Sequence, residues 1–251
     1  MDDGEVVIFS KFYAECYDQI HSSKSYEGES KRMLDFLKTE LGRKDISKIM
    51  DFGCGTGAHL NTLAGEGLEL YGYDRNEYML EVARRKYPDL YVSSDYSQIP
   101  PDLDLVYSLF DVVNYQITDA EVEIFFRSHA SKLASGALLV IDGWHYPGVK
   151  LDPPTVRERD IVFESATITR RVQPSSQDEY RTTVLDITLK DKVGSEILTH
   201  ESHTMRAFER DELAVVASAC GFKEIKFRDG QDWSSDLNAE SWRFVMFAEK
   251  A

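Results

Sequence analysis

Hydrophobic and polar positions follow two rhythms along this chain. Met33, Leu34, Leu37 and Leu41 recur at helical spacing, which predicts a helix with one face on a sheet. Residues 47–52 then predict a strand, 58–64 a helix and 68–73 a second strand. The next helix opens at Asn76, turns Met79, Leu80 and Ala83 inward, and stops before Pro88. Residues 90–93 and 103–107 predict the third and fourth strands. Thr118-Asp119-Ala120-Glu121 has the form of a capping box. Behind it Val122, Phe125, Phe126, His129 and Leu133 form an apolar helical face, closed by Gly136. His129 is expected to be packed there rather than reactive. Residues 137–141 are apolar without alternation, as in a strand covered on both faces. Strands alternating with helices at this spacing predict an α/β fold with a doubly wound, mostly parallel sheet.

After residue 146 the rhythm changes. Pro147, Pro153 and Pro154 crowd a loop, and three strand-like runs follow at 160–172, 180–190 and 197–208. Connections at 174–177 and 192–195 make this an antiparallel insert between the fifth strand and the last helix. Leu213, Val216 and Cys220 mark that helix, which stops at Gly221, and 222–228 and 242–248 close the sheet. The expected division is an N-terminal lid and first helix (1–45), a Rossmann-like core (46–146), a substrate-side insert (147–208), and the closing helix and strands (209–251).

Composition narrows the function classes. At 251 residues, 42% hydrophobic and 29% charged, the chain suits one large soluble domain, or one domain with an insert. A formal net charge of −15 argues against a nucleic-acid partner but leaves room for a small anion held by a local arginine. Cys16, Cys54 and Cys220 have no close pair, so a reducing cytosol is the default. No run approaches the roughly 18 apolar residues of a membrane span, and Met1-Asp2-Asp3 does not open a signal peptide. A cytoplasmic protein is expected.

The chemistry centres on Asp51-Phe52-Gly53-Cys54-Gly55-Thr56-Gly57, between the first strand and the next helix. Glycine permits positive φ and lets a ligand approach the backbone, and the helix start offers unpaired N–H groups. Asp74 ends the second strand, placed to accept hydrogen bonds from a ribose. A nicotinamide dinucleotide fold uses the same device, and Gly53, Gly55 and Ala58 fit its relaxed fingerprint. Asp51 and the third glycine suit a cationic ligand better than a pyrophosphate. The resulting D-x-G-x-G-x-G resembles the S-adenosylmethionine (SAM) site of class I methyltransferases. That resemblance implies that Asp51, Gly53 and Gly55 meet the methionine part and Asp74 the ribose, with Cys54 and Gly57 also at the cofactor. Asp95 and Tyr96, after the third strand, would read the adenine, and Leu109 and Phe110 follow the fourth strand. Tyr115 is placed to orient an acceptor amine or share in its proton loss. Asp152-Pro153-Pro154 lies after the wrong strand for a base-modifying signature. His200 and His203 should point to opposite strand faces, so no metal site is expected.

A closer resemblance covers nearly the whole chain. Tyr17-Asp18, Lys24-Ser25-Tyr26 and Glu29 are similar to the Y-D…K-D-Y-x-x-E pattern of the dTDP-3-amino-sugar N,N-dimethyltransferases. Met79-Leu80, Phe110 to Tyr115, Trp144 with Pro147, His203 to Gly221, and Arg243 continue it. The resemblance implies methylation of an amine on a nucleotide-linked sugar. It places Tyr26 and Met79 at the cofactor, Tyr17 and His21 at the reacting end, and Trp144 and Arg243 at the substrate. His145 reads equally as a substrate contact or a loop residue. Two departures bear on the sugar: a basic residue between glycines is missing near His21, which replaces a tyrosine, and Asp142-Gly143 stands for Glu-Pro. Rival readings are a methyltransferase for a free amine, amino acid or carboxylate, an NAD-dependent oxidoreductase, and a SAM-binding module without catalysis. The partner expected is a small molecule, with neither nucleic acid nor membrane, and a homodimer is compatible with the sequence.

Overall fold

The computed structural model describes residues 8–163, 167–193 and 196–251. Residues 1–7, 164–166 and 194–195 lie outside it, and with them parts of the expected lid, of the 160–172 run and of the 192–195 connection. Two helices open the described chain, α1 (Lys11–Ile20) and α2 (Tyr26–Thr39). A βα succession follows: β1 (Lys48–Phe52), α3 (Ala58–Thr62), β2 (Glu69–Tyr73), α4 (Glu77–Lys86), β3 (Tyr91–Ser93), β4 (Leu103–Ser108), α5 (Asp119–Lys132) and β5 (Leu133–Trp144). Then come α6 (Tyr146–Leu151), the four strands β6 (Arg157–Val162), β7 (Thr167–Gln177), β8 (Thr182–Asp191) and β9 (Ile197–Arg206), and finally α7 (Arg210–Ala219), β10 (Phe222–Asp229) and β11 (Arg243–Lys250).

Seven strands form one sheet in the order β10-β11-β5-β4-β1-β2-β3. β1 is parallel to both β2 and β4, β4 to β5, and β2 to β3, whereas β11 runs antiparallel to β5 and β10. The strand order reverses between β1 and β4, and a ligand crevice opens beyond the carboxyl ends of strands at such a point. This is a doubly wound, Rossmann-like α/β sheet with an antiparallel pair at one edge.

Successive residues of the central strands bury into opposite layers, which explains their unbroken apolar runs. Ile49, Leu105, Val140 and Phe247 pack with Met33 and Leu37 of α2. Their neighbours Met50, Val106, Leu139 and Met246 pack with Phe125 and Phe126 of α5 and Leu213 and Ala217 of α7. The predicted capping box is present, with Thr118 and Glu121 bonding each other's backbone. His129 is fully buried, and its Nδ1 meets the Phe125 carbonyl.

Four boundary expectations need correction. Gly136 does not close α5, which ends at Lys132; it lies inside β5 at φ 80°, where the pairing with β4 shifts register. Pro147 does not sit in a loop, because it occupies the first turn of α6, where its missing N–H costs nothing. The 160–172 run is two antiparallel strands, with Arg157 opposite Val172, so the insert has four strands and not three. Residues 174–177 are not a connection: they continue β7, paired to β8, and the turn falls at Asp178–Tyr180.

The insert sheet, β6-β7-β8-β9, does not pair with the main sheet. Ile168, Val172, Ile187 and Leu189 on its face receive Tyr13, Cys16 and Ile20 of α1. Ala14 on the same helix packs with Met79 and Val82 of α4. α1 therefore spans from the insert to the main sheet and roofs the crevice. Among the described residues no helix is long and apolar enough to cross a membrane.

Candidate active site beneath the first helix

One cavity of about 610 Å³ lies between the carboxyl ends of β1, β2 and β4, the helix α1 and the insert sheet. Its floor is the glycine turn. Gly53 and Gly55 adopt φ of 81° and 53°, a region that side chains disfavour. A Cβ on Gly53 would lie 2.7 Å from a Val112 methyl, whereas one on Gly55 would project into open space. Gly55 is thus where a ligand can rest against bare backbone.

The turn is clamped to β2: the Gly53 and Cys54 amides both donate to the Tyr73 carbonyl, at 2.7 and 3.0 Å. Asp74 Oδ2 accepts from the Gly55 amide at 2.9 Å and its Oδ1 from the Asn76 amide at 2.8 Å. Burial pushes the Asp74 carboxyl up, against the pull of those two amides. Asp51, in register with Gly72 beside it, is only 2% exposed, and its Oδ2 has no hydrogen-bond partner. Burial pushes Asp51 up to about 7, with His59 opposing and Asp74 reinforcing the rise. Two crowded carboxylates, one of them incompletely paired, form a receptor for a cation. SAM, which carries a sulfonium, an ammonium and a ribose, fits this turn; when bound it supplies an activated methyl group.

The roof brings aromatic side chains over the turn. Phe9, Tyr13, Tyr17, His21 and Tyr26 all line the cavity, as do Met79, Leu109 and Phe110. Tyr26 sets its ring edge on His59 at 4.8 Å. Glu29 ties this corner together, 2.7 Å from Lys24 and 2.8 Å from His59 Nε2. Burial opposes its charge, but His59 and Lys24 hold the Glu29 carboxyl down at about 2. His21 lies 4.6 Å from the Tyr17 ring and 5.1 Å from Phe110. Burial, then Arg170, Arg159 and Lys24, push its imidazole down to about 3, so it is neutral at physiological pH.

The far wall belongs to the turn after β4 and to the insert. Phe110 and Asp111 both take positive φ, 74° and 67°, strain of the kind found at sites where a side chain must be aimed. Tyr115, three residues past Val112, lines the cavity, and its hydroxyl is 2.8 Å from His203 Nδ1. Burial pushes the Tyr115 phenol up. Trp144 joins it, with Arg170, Leu185, Ile187 and Met205 from the insert strands.

Twelve predicted site residues thus meet around one space: His21, Tyr17, Tyr115, Tyr26, Gly53, Cys54, Gly55, Asp74, Met79, Leu109, Phe110 and Trp144. The others sit outside its lining. Asp51 lies beneath the turn, and Gly57 starts α3 with its φ of 78°. Asp95 is exposed and caps a 3-10 turn by accepting from the Ser97 amide and hydroxyl, at 2.9 and 2.6 Å. Tyr96 donates to the Ser128 carbonyl and packs on Phe52 and Tyr73. His145 is buried against the Ser241 carbonyl at 3.0 Å. Arg243 bridges Asp111 at 2.7 Å and Asp142 at 3.0 Å, which braces the strained turn from behind. Sequence reading missed Arg170 and Glu201, and it gave His203 no role at the site. Their one signal was polar residues sharing a strand face with apolar ones; His200 and His203 do face apart, the first exposed and the second buried.

Residues 49–136 match the methyltransferase-domain family. The chain is 27% identical over 151 residues to the dTDP-4-amino-2,3,4,6-tetradeoxy-D-glucose N,N-dimethyltransferase of Saccharopolyspora spinosa, a match spanning 58% of this chain and 59% of that relative. It is 24% identical to the dTDP-3-amino-3,4,6-trideoxy-alpha-D-glucopyranose N,N-dimethyltransferase of Streptomyces venezuelae over 87% of this chain and 92% of the relative. Its fold matches that of SAM-bound CalS10, an amino pentose methyltransferase from Micromonospora echinaspora, with a TM-score of 0.74 and 24% identity, over 99% of this chain and all of that one. The domain match decides between the two nucleosides that the glycine turn alone admits. Residues 49–136 carry a methyltransferase domain, and the chain resembles the dTDP-amino-sugar N,N-dimethyltransferases along most of its length.

Proposed function

We propose that this enzyme methylates an amino group on a nucleotide-linked sugar in the cytoplasm. Arg170 is the observation that carries the reading. In a chain of net charge −15, its guanidinium lines the acceptor end of the cavity. Its Nε is buried without a hydrogen-bond partner, and among the described residues no carboxylate pairs with it. Its neighbour is the Tyr13 hydroxyl. A half-buried guanidinium whose Nε lacks a partner, with no described carboxylate paired to it, favours a ligand that supplies the anion, and a nucleotide diphosphate does so.

The names of the two curated relatives support the amine and the nucleotide sugar. In this reading Asp51, Gly53, Gly55, Asp74, Tyr26 and Met79 hold the methyl donor, and Tyr17, Tyr115 and Trp144 place the acceptor. The insert forms the acceptor wall, and the N-terminal helices form the lid over it. The chain's work is positioning, exclusion of water and removal of a proton.

Incubation of the purified protein with SAM and a panel of dTDP-amino sugars, free amino sugars, amines and amino acids tests this by mass spectrometry. Methylated dTDP-amino sugar is expected. Methylation of free amines or amino acids alone would overturn the nucleotide part of the reading.

A further inference from the structure

The inward face of β9 carries Glu201, His203 and Met205, all buried. A carboxylate and an imidazole there are unusual, because each costs free energy unless fully paired. Glu201 is. Its Oε1 accepts from the Ser10 amide at 2.8 Å and the Ser10 hydroxyl at 2.7 Å, and its Oε2 accepts from the Phe9 amide at 2.8 Å and lies 3.0 Å from His203 Nε2. Burial acts against its charge, but bonds from His203, Ser10 and Phe9 outweigh it and hold the carboxyl below its ordinary range.

An ionised carboxylate only accepts, so His203 Nε2 carries the hydrogen, and in the neutral ring Nδ1 keeps the lone pair. The Tyr115 hydroxyl, 2.8 Å from Nδ1, therefore donates to it. The phenol oxygen is left as an acceptor on the cavity wall. Because burial raises the phenol, Tyr115 cannot act as a standing tyrosinate and needs a partner that takes its proton.

We propose that Tyr115, His203 and Glu201 form a relay that removes the proton from the methylated amine. The idea rests on the amine acceptor proposed above. As the amine lone pair forms its bond to the methyl carbon, the carbon–sulfur bond breaks and its electron pair stays on sulfur, giving a neutral thioether. The nitrogen is left cationic. One N–H proton passes to the Tyr115 oxygen while the tyrosine's own proton passes to His203 Nδ1. The outcome is a neutral amine and an imidazolium held against Glu201. Tyr115 is the catalytic residue of the three, and His203 and Glu201 act through it. The other titratable and charged groups around Tyr115 and His203 are Tyr13 and Tyr17 on α1, Asp111 after β4, Arg75 after β2, and Arg170 on β7 against Tyr13.

The test compares wild type, Tyr115→Phe and His203→Gln in methyl transfer across the neutral pH range, with SAM affinity measured alongside. In wild type kcat should rise with pH through an inflection, as for a reaction limited by a general base. Both variants should lose that inflection and fall in kcat by roughly 10²–10⁴-fold with unchanged SAM Kd, the usual reach of general base catalysis. Variants that keep the wild-type pH profile would overturn the relay. Nitrogen NMR of histidine-labelled wild type bound to S-adenosylhomocysteine gives an answer independent of any acceptor. A neutral His203 with hydrogen on Nε2 is expected, and hydrogen on Nδ1 would overturn the relay. Wild type that turns over no amine, but shows the expected tautomer, sinks the function reading instead.

Discussion

The Thr56 hydroxyl donates to the Asp18 carboxylate at 2.6 Å, so the cofactor turn is tied directly to the roof helix. Lys86 of α4 meets the same carboxylate from the other side. Asp18→Ala should release the roof at its centre. We expect SAM to dissociate about 5–30-fold faster, equivalent to ~1–2 kcal/mol for lost hydrogen bonds to a charged group. Stopped-flow displacement measures this, and an unchanged off-rate would show that α1 does not gate the cofactor.

Asp51 sets a pH dependence. Its carboxyl is raised by burial to about 7, so the folded chain holds this proton more tightly than the unfolded chain does. Its contribution to the stability of the ligand-free protein is therefore greatest at low pH and is lost as pH rises through about 7. Asp51→Asn should raise the Tm of the ligand-free protein above that pH, at about 1.4 kcal/mol per pKa unit relieved. The same variant should bind SAM more weakly. In wild type, SAM affinity should drop below pH 7, where binding must first expel the proton. A flat affinity profile would separate Asp51 from the cofactor.

Gly53 and Gly55 should fail in different ways. Gly53→Ala adds a clash 2.7 Å from Val112 to an unfavourable φ, and should lower stability by about 1–3 kcal/mol. Gly55→Ala meets no neighbour, so its stability cost is only about 1 kcal/mol, but its methyl enters the cavity. Thermal melts should rank Gly53→Ala as worse and SAM titration should rank Gly55→Ala as worse. Equal effects in both assays would contradict the open space assigned beside Gly55.

Arg170→Gln tests the anion. The KM for a dTDP-amino sugar should rise about 10–100-fold, with the SAM Kd unchanged, as for loss of a charge-assisted hydrogen bond. A weakened SAM Kd with an intact acceptor KM would place the methionine carboxylate on Arg170 instead.

The main sheet was legible because its strands are buried on both faces and its turns carry glycine. Residues 47–74 follow the predicted strand, turn, helix and strand closely. The insert was less so. The stretch from Ile161 to Ile168 reads as continuous strand, with neither glycine nor proline to divide β6 from β7. Pro174 looks like a breaker, yet it sits in β7 opposite Leu185. β6 stops pairing at Val172, so Pro174 lies on a locally free edge where its missing N–H breaks no ladder.

Of the acceptor wall, Tyr115 and Trp144 were expected, but the insert side chains that complete it were not. Tyr115 and His203 are 88 positions apart, and Arg170 reaches the cavity from a strand whose composition is ordinary. His203 entered only as the start of a resembling stretch and as a metal ligand set aside. Its partner Glu201 sits two residues away, on the same strand face.

The pin between Phe9 and Glu201 joins positions 192 apart, the first described residues to the last insert strand. A growing polypeptide completes its glycine turn early, but the anchor for the roof emerges only when most of the chain has been synthesised. Vectorial synthesis thus leaves the crevice uncovered until late, and the amino-terminal segment is among the last parts to find its place.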